Sequence, residues 1–111
     1  MSGTRLSGRR KLVGVKDHLD VDHRPGVYLF YKTWDGPPRY VGRSGASLYG
    51  RIRGRGYTYY QFKHCRSDYD AYKWECRYWH LYEDSLVNSR ANGGRHPAHP
   101  QGTFHYCPVC D

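Results

Sequence analysis

The chain has 111 residues and a formal net charge of +8, and arginine outnumbers lysine by 13 to 5. This length supports one small domain with a modest core, and no apolar run approaches the roughly 20 residues that cross a bilayer, which argues against a membrane protein. The basic start of the chain has no apolar run behind it, so we expect no secretory signal and a cytoplasmic protein. The excess of arginine, with 12 tyrosines and 3 tryptophans, favours DNA as the partner over a charge that serves solubility alone.

The first 23 residues are basic and polar and show no apolar periodicity, so we predict an unfixed arm up to residue 16, followed by a lead-in that can lay one turn against the core. The core, residues 24–90, opens with two short apolar runs at 27–31 and 39–42, separated by turn-forming Gly and Pro residues. This pattern predicts a β-hairpin. Because side chains alternate along a strand, Tyr28 and Tyr40 can lie on the same face of the hairpin.

The sequence of the rest of the core predicts a short helix at 48–55, a third strand at 60–65 and a long helix at 69–82. Either Ser67 or Asp68 is expected to cap the long helix. Helical spacing predicts that the buried stripe of the long helix consists of Ala71, Trp74, Tyr78 and Leu81. These elements are those of a small α/β (α+β) domain.

Glu75 is the unusual residue of the long helix, because it lies one turn after Ala71 within the predicted buried arc. A buried carboxylate is costly unless it is paired or binds a cation. Two interpretations are equal on the pattern alone: Glu75 pairs with an arginine such as Arg51, or it is a metal ligand. A phenol, an arginine and a glutamate together provide the base, the phosphate contact and the Mg²⁺ ligand that phosphodiester hydrolysis requires.

Several residue patterns follow one another in a fixed order along residues 24–88. They are Gly26-Val27-Tyr28, Tyr40-Val41-Gly42, Arg51, Glu75 and Asn88. In this order and at this spacing they make the chain similar to a GIY-YIG nuclease domain. The resemblance implies a three-stranded antiparallel sheet flanked by helices and hydrolysis without a covalent intermediate.

The resemblance also implies a function for each matched residue. Tyr28 would act as the general base or position the water, and Tyr40 would orient the water or the phosphate. Arg51 would contact the scissile phosphate, Glu75 would hold one Mg²⁺ or Mn²⁺, and Asn88 would anchor the periphery of the site.

The chain departs from the family pattern at Arg55, where many members have His or Tyr. Arginine accepts no proton at accessible pH, so proton transfer is left to Tyr28, or to Tyr57 or His64 from outside the pattern. The residues predicted to contact DNA around these motifs are Arg43, Arg53, Arg55, Tyr57, Lys63 and His64.

Residues 91–111 form a tail rich in Gly, Pro and His, which is too long for a structureless loop unless something holds it. Its H-x-x-H pair, His96 and His99, and its C-x-x-C pair, Cys107 and Cys110, predict a structural Zn²⁺ site that fixes the tail. The competing ligands are His105, Cys65 and Cys76. The alternative interpretation is an unligated or redox-active cysteine pair.

The function that these observations favour is a metal-dependent DNA endonuclease. The alternative is a nucleic-acid-binding module that keeps the fold without cleavage, which the arginine at position 55 favours. A third interpretation, a zinc-stabilised protein-interaction domain, explains the tail but not the two tyrosine motifs. The DNA specificity and the choice between monomer and dimer stay open.

Overall fold

The fold was examined in a computed structural model, which describes residues 6–14, 24–45, 48–52, 56–88, 93–94 and 96–97. The elements, in chain order, are β1 (Arg10–Lys11), a 3₁₀ turn (Leu12–Gly14), β2 (Gly26–Tyr31), β3 (Tyr40–Ser44), α1 (Leu48–Ile52), β4 (Tyr59–His64) and α2 (Asp68–Leu81). The chain is therefore a small α+β domain, as its sequence predicts.

The described strands form one antiparallel sheet of four strands in the order β1-β4-β2-β3. The predicted count of three strands is wrong, because Arg10 and Lys11 pair with Tyr60 and Tyr59 at the outer edge of β4. Without β1, that edge would leave a row of unpaired backbone groups. A strand of two residues carries too little alternation to be recognised from sequence.

Residues 6–14, ahead of β2, are fixed to the sheet, contrary to the expectation of an unfixed arm. Ser7 donates its backbone N–H to the Phe62 carbonyl at 2.7 Å and accepts the Phe62 N–H on Oγ at 2.9 Å. Arg9 Nη1 donates to the carbonyls of the β2–β3 loop, and its guanidinium lies 3.6 Å from the centroid of the Tyr31 ring. Residues 15–23 of the predicted lead-in lie outside the described residues.

The predicted hairpin is confirmed, with Tyr28 opposite Gly42 and Phe30 opposite Tyr40. In this register Tyr28 and Tyr40 share one face of the sheet, whereas Val41 and Arg43 point to the other face. All six residues of the central strand β2 are buried, because the sheet is covered on both sides.

The two faces of the sheet carry separate hydrophobic cores. On the Tyr28 face, Leu48 and Ile52 of α1 pack against Phe30 and Tyr60. On the opposite face, α2 packs against the aliphatic side chains of β2 and β3, and its main contributors are Ala71 and Trp79. One long helix, α2, thus covers this face of the sheet, and the five-residue α1 covers the other face.

The long helix begins at a serine cap, because Ser67 Oγ accepts the Asp70 N–H at 3.1 Å. The residues that α2 buries are Ala71, Tyr72, Glu75, Cys76 and Trp79. Of the predicted stripe only Ala71 is buried: Trp74 and Tyr78 are half-buried and pack against the core, and Leu81 is 69% exposed. At 14 residues, α2 is short, and no helix within the described ranges is long and apolar enough to cross a membrane.

We predict that Arg9→Met lowers the free energy of unfolding by about 1–3 kcal/mol, since three loop carbonyls lose a charged donor while the apolar stem remains. Urea unfolding followed by tryptophan fluorescence measures the change. Lys11→Met is the matched control, because Lys11 is exposed, and it should stay within about 0.5 kcal/mol of the wild type. Equal losses in both variants would contradict the assigned function of Arg9.

Candidate active site

A pocket of about 330 Å³ lies at the β3 edge of the sheet. Its described lining consists of Tyr28, Tyr40, Gly42, Arg43, Gly45, Arg51, Asp68 and Glu75. Residues from both faces of the sheet meet there: the tyrosines come from the α1 side, and the two carboxylates come from α2. The pocket therefore brings together the four predicted catalytic residues Tyr28, Tyr40, Arg51 and Glu75.

The two tyrosines stand side by side on one wall of the pocket. Their rings are stacked, with centroids 6.4 Å apart and an interplanar angle of 14°. Tyr28 is 3% exposed, whereas Tyr40 is half-buried. The Phe30 ring lies 5.0 Å from Tyr28 and 5.9 Å from Tyr40, and this packing holds both phenol rings in place at the pocket.

The glycines of the two tyrosine motifs are required by close contacts. A side chain at position 42 would collide with the Tyr28 phenol, which crosses over β3 at this point. A Cβ at position 26 would lie 2.5 Å from the Lys63 carbonyl oxygen and from Leu48 Cδ1. Gly42 thus lets Tyr28 reach the strand edge, and Gly26 lets α1 approach the sheet.

Arg51 reaches the same pocket from the last turn of α1, where its side chain is exposed. Within residues 6–14, 24–45, 48–52 and 56–88, no hydrogen bond or ion pair joins Arg51 to another side chain. A guanidinium in this state is available to an anion that enters the pocket, and its planar donors suit phosphate oxygens.

Arg43 joins the edge strand to α2 through two ion pairs. Its Nε donates to Asp68 Oδ1 at 2.9 Å, and its Nη1 donates to Glu75 Oε1 at 2.7 Å. Glu75 therefore pairs with an arginine, as one of the two interpretations held, but the partner is Arg43 and not Arg51, because Arg43 points to the helix side of the sheet and Arg51 comes from the other side. Asp68 was missed by the sequence reasoning, although it lies seven residues before Glu75, which places both on one helix face.

The charges in this cluster are shifted by burial and by each other. Burial raises the pKa of Glu75, and the hydrogen bond and positive charge of Arg43 offset only part of this rise. Burial acts to lower the pKa of Arg43, but the bonds to Glu75 and Asp68 outweigh it and raise that pKa. An ionised Glu75 thus costs folding stability at neutral pH, which is typical of carboxylates kept for function.

Glu75 also fits the predicted divalent cation. Within the described residues its only hydrogen bond is the one from Arg43 to Oε1, so Oε2 is available to a cation. A single carboxylate is sufficient for Mg²⁺, which keeps much of its water shell and uses substrate phosphate oxygens. Among the described residues, no group of three or more His, Cys, Asp and Glu side chains is arranged to hold a metal ion by itself.

Asn88 lies outside the pocket and braces its edge strand. Its side-chain Nδ2 donates to the Val41 carbonyl at 2.9 Å, and its Oδ1 accepts the Val41 N–H at 3.5 Å. Its own carbonyl accepts the Trp79 indole N–H at 2.9 Å. The side-chain amide thus takes the place of a neighbouring strand, and the predicted anchoring of the site's periphery has a structural basis.

The residues predicted to contact DNA fall into three groups. Arg43 lines the pocket, and the Tyr57 ring lies 6.3 Å from that of Tyr40. Lys63 and His64 are only 5% and 7% exposed, so burial does not favour a DNA contact for either. Arg53 and Arg55 lie outside the described residues.

The predicted zinc ligands are only partly covered by the structure. His96 is described, whereas His99, Cys107 and Cys110, and the competing ligand His105, lie outside the described residues. Cys65 and Cys76 are buried thiols, and burial raises the pKa of Cys65 to about 12. Both thiols lie in hydrophobic clusters of the core, away from solvent.

Comparison of the chain with models of protein families, with curated proteins and with solved structures found no match. These comparisons therefore show no family for the chain. The similarity to the GIY-YIG nucleases stays a prediction that the chain's own residues carry.

We predict that Gly42→Ala lowers the free energy of unfolding by about 1–3 kcal/mol, because the added methyl displaces the Tyr28 ring. Gly56→Ala is the matched control, since no atom lies within 4 Å of a Cβ at that position. Chemical denaturation of both variants measures the difference. A Gly42→Ala variant as stable as Gly56→Ala would contradict the close contact with Tyr28.

The chain has two glutamates, Glu75 and the exposed Glu83, so ¹³C-labelled glutamate gives two carboxyl resonances whose titration is resolved by NMR. We predict that the pKa of Glu75 lies above its ordinary value and that Arg43→Gln raises it further, because the offsetting cation is removed. Arg51→Gln is the control and should leave the Glu75 titration unchanged. An unshifted Glu75 in Arg43→Gln would contradict the ion pair.

Proposed function

We propose that this chain is a divalent-metal-dependent DNA endonuclease that hydrolyses phosphodiester bonds with a site of the GIY-YIG type. The observation that carries the proposal is the meeting of Tyr28, Tyr40, Arg51 and Glu75 in one pocket. These residues come from β2, β3, α1 and α2, and 47 positions separate the first from the last. A purely structural explanation of each residue gives no reason for all four to face the same space.

The electrostatics of the pocket suit a phosphodiester. Arg43 forms ion pairs with both Asp68 and Glu75. Its single positive charge therefore balances only one of the two carboxylates, and one negative charge is left over. Arg51 adds one positive charge without an ion pair among the described residues. A site with one guanidinium for the phosphate and one carboxylate for a cation matches an anionic substrate that arrives with Mg²⁺ or Mn²⁺.

In this proposal each side chain has a defined task. Tyr28, as a phenolate that has first lost its proton to solvent, would accept the hydrogen bond of the attacking water and take its proton, and the Tyr40 hydroxyl would orient that water against the phosphate. Arg51 would donate to the non-bridging oxygens, where negative charge develops. Glu75 would hold the divalent cation, which would supply positive charge to the phosphate and the leaving oxygen. Arg43 fixes Glu75 in position.

The net charge of +8 and the position of the pocket at a sheet edge support a polynucleotide substrate. The half-buried Tyr57 ring is stacked on the buried Phe30 ring at 5.0 Å and lies 6.3 Å from Tyr40, so it adds a further aromatic ring beside the tyrosines, as nucleic-acid interfaces often do.

One observation favours the second candidate, a DNA-binding module without cleavage. Arg43 neutralises Glu75 within the protein, so the carboxylate has a satisfied structural partner and needs no metal. A site that binds phosphate without hydrolysing it needs neither a metal ion nor a proton acceptor. The Arg43–Glu75 ion pair and the arginine at position 55 both fit such a site.

We predict that the full-length protein cleaves DNA with Mg²⁺ or Mn²⁺ and that Tyr28→Phe, Arg51→Ala and Glu75→Gln each lower the rate about 10²–10³-fold. The substrates are supercoiled plasmid and labelled duplex, nicked, branched and single-stranded DNA. Tyr59→Phe is the matched control, because it removes a phenol hydroxyl outside the pocket and should retain the wild-type rate.

The outcomes separate the two candidates. If the wild-type protein cuts none of these substrates, the enzyme proposal is contradicted. Salt-sensitive DNA binding without cutting would support the binding module. Cleavage that survives Glu75→Gln would show that the metal ligand is misassigned. Circular dichroism of each variant confirms that a lost rate is not a lost fold.

A further inference from the structure

A second pocket lies at the β2–β3 loop, residues 32–39. It has a volume of about 350 Å³, and its described lining consists of Lys32, Thr33, Pro37 and Arg39. The pocket therefore combines two cations with a hydroxyl, and no carboxylate occurs among the described residues that line it. All four residues are outside the candidate active site and outside the set predicted to contact DNA.

Arg39 carries a buried donor that has no acceptor. Its Nε is buried, and no atom in the described part of the chain accepts a hydrogen bond from it. Among the same described residues, no ion pair engages the side chain of Arg39 or Lys32, although Asp35 belongs to the same loop. A buried N–H without a partner costs folding free energy and is uncommon in native proteins. A ligand with acceptor oxygens would complete this site.

The loop that forms the pocket is held in place by residues outside it. Arg9 Nη1 donates to the carbonyls of Thr33 at 3.2 Å and Gly36 at 3.0 Å. Near the other end of the loop, the Pro38 carbonyl accepts the Ser85 hydroxyl at 2.7 Å. Because these contacts fix the backbone before any ligand arrives, an anion would bind without the entropic cost of ordering the loop.

An exposed aromatic ring in the same loop indicates what kind of anion fits. Trp34 is 60% exposed, whereas Trp74 is half-buried and Trp79 is 1% exposed. The Trp34 ring meets the Tyr59 ring edge-on, with centroids 5.5 Å apart, so it is supported while most of its surface stays open. Nucleic-acid interfaces combine cations for the phosphates with aromatic rings on which bases stack. A free phosphate ion would use the cations alone, whereas a nucleotide uses both.

The second pocket lies beside the candidate active site along the chain, because Arg39 lines the one and its neighbour Tyr40 lines the other. Each strand of a duplex carries one phosphate for about every 3.4 Å of helix axis, so a substrate in the first pocket presents further phosphates nearby. We propose that the β2–β3 loop is a second nucleic-acid contact, in which Lys32 and Arg39 bind backbone phosphates other than the scissile one and Trp34 stacks on a base. The inference rests on the proposed function for nucleic acid as the ligand, and not on cleavage.

The test measures binding of the full-length protein to labelled single-stranded and duplex oligonucleotides, in EDTA so that no strand is cut, over about 50–200 mM salt. We expect Lys32→Met and Arg39→Gln each to raise Kd about 5–10-fold and to reduce the magnitude of the salt slope by about 0.7–0.9, since each variant neutralises one phosphate fewer. Lys11→Met and Arg77→Gln are the matched controls, because both remove an exposed positive charge outside the pocket. They should stay within about 2-fold of the wild type.

Because a pocket variant can fold poorly, the wild type gives a second measurement. The Nε–H resonance of Arg39, assigned by its loss in Arg39→Gln, should shift when the oligonucleotide is added. Binding should also quench tryptophan fluorescence, and most of that quenching should disappear in Trp34→Phe because the other two tryptophans are less exposed.

Lys32→Met and Arg39→Gln variants that bind as tightly as the controls would overturn the proposal, and so would an Arg39 resonance that the oligonucleotide leaves unmoved. An equal shift with inorganic phosphate at the same phosphate concentration would overturn nucleic acid as the ligand and assign the pocket to a free anion. Unchanged quenching in Trp34→Phe would overturn the stacking. A protein that cuts nothing but binds through this loop contradicts only the enzyme proposal, whereas normal cutting with unchanged binding in both pocket variants contradicts only this one.

Discussion

The two ion pairs of Arg43 hold the pocket together. The guanidinium leaves the edge strand β3 on the helix side of the sheet and meets Asp68 at the start of α2 and Glu75 two turns later. Its planar donors reach both carboxylates at once, which a lysine ammonium on the same stem does less well. The pairing fixes the helix against the strand and makes burial of Glu75 tolerable, although not free of cost. The position and charge of the carboxylate in the pocket follow from this contact.

The location of the pocket follows from the way the sheet is covered. Both faces of β2 are packed, one by α1 and the other by α2, so side chains from opposite faces can meet only where the sheet ends. At β3 the Tyr28 phenol passes over Gly42 and arrives beside Arg43 and Glu75, which belong to the other face. A glycine at this one edge position therefore joins two halves of a site that the sheet would otherwise separate.

The segment after α2 holds this edge in place. The Asn88 amide satisfies both backbone groups of Val41, and the Val87 N–H donates to the Arg39 carbonyl at 2.7 Å. The Trp79 indole connects this brace to His80 and His96.

The amino-acid sequence by itself determined the hairpin, the third predicted strand, the long helix and the burial of Glu75. Each of these follows from a local pattern: alternation along a strand, helical spacing of apolar residues, or a capping residue. It also identified the tyrosines, Arg51 and Glu75 as chemically unusual. The tertiary structure decided which arginine meets Glu75, since that depends on which face of an edge strand each residue occupies. It likewise decided the fourth strand, the inclusion of Asp68 and the ring contact between His80 and His96. These contacts join residues that share no local period, and only the packing of the whole chain brings them together.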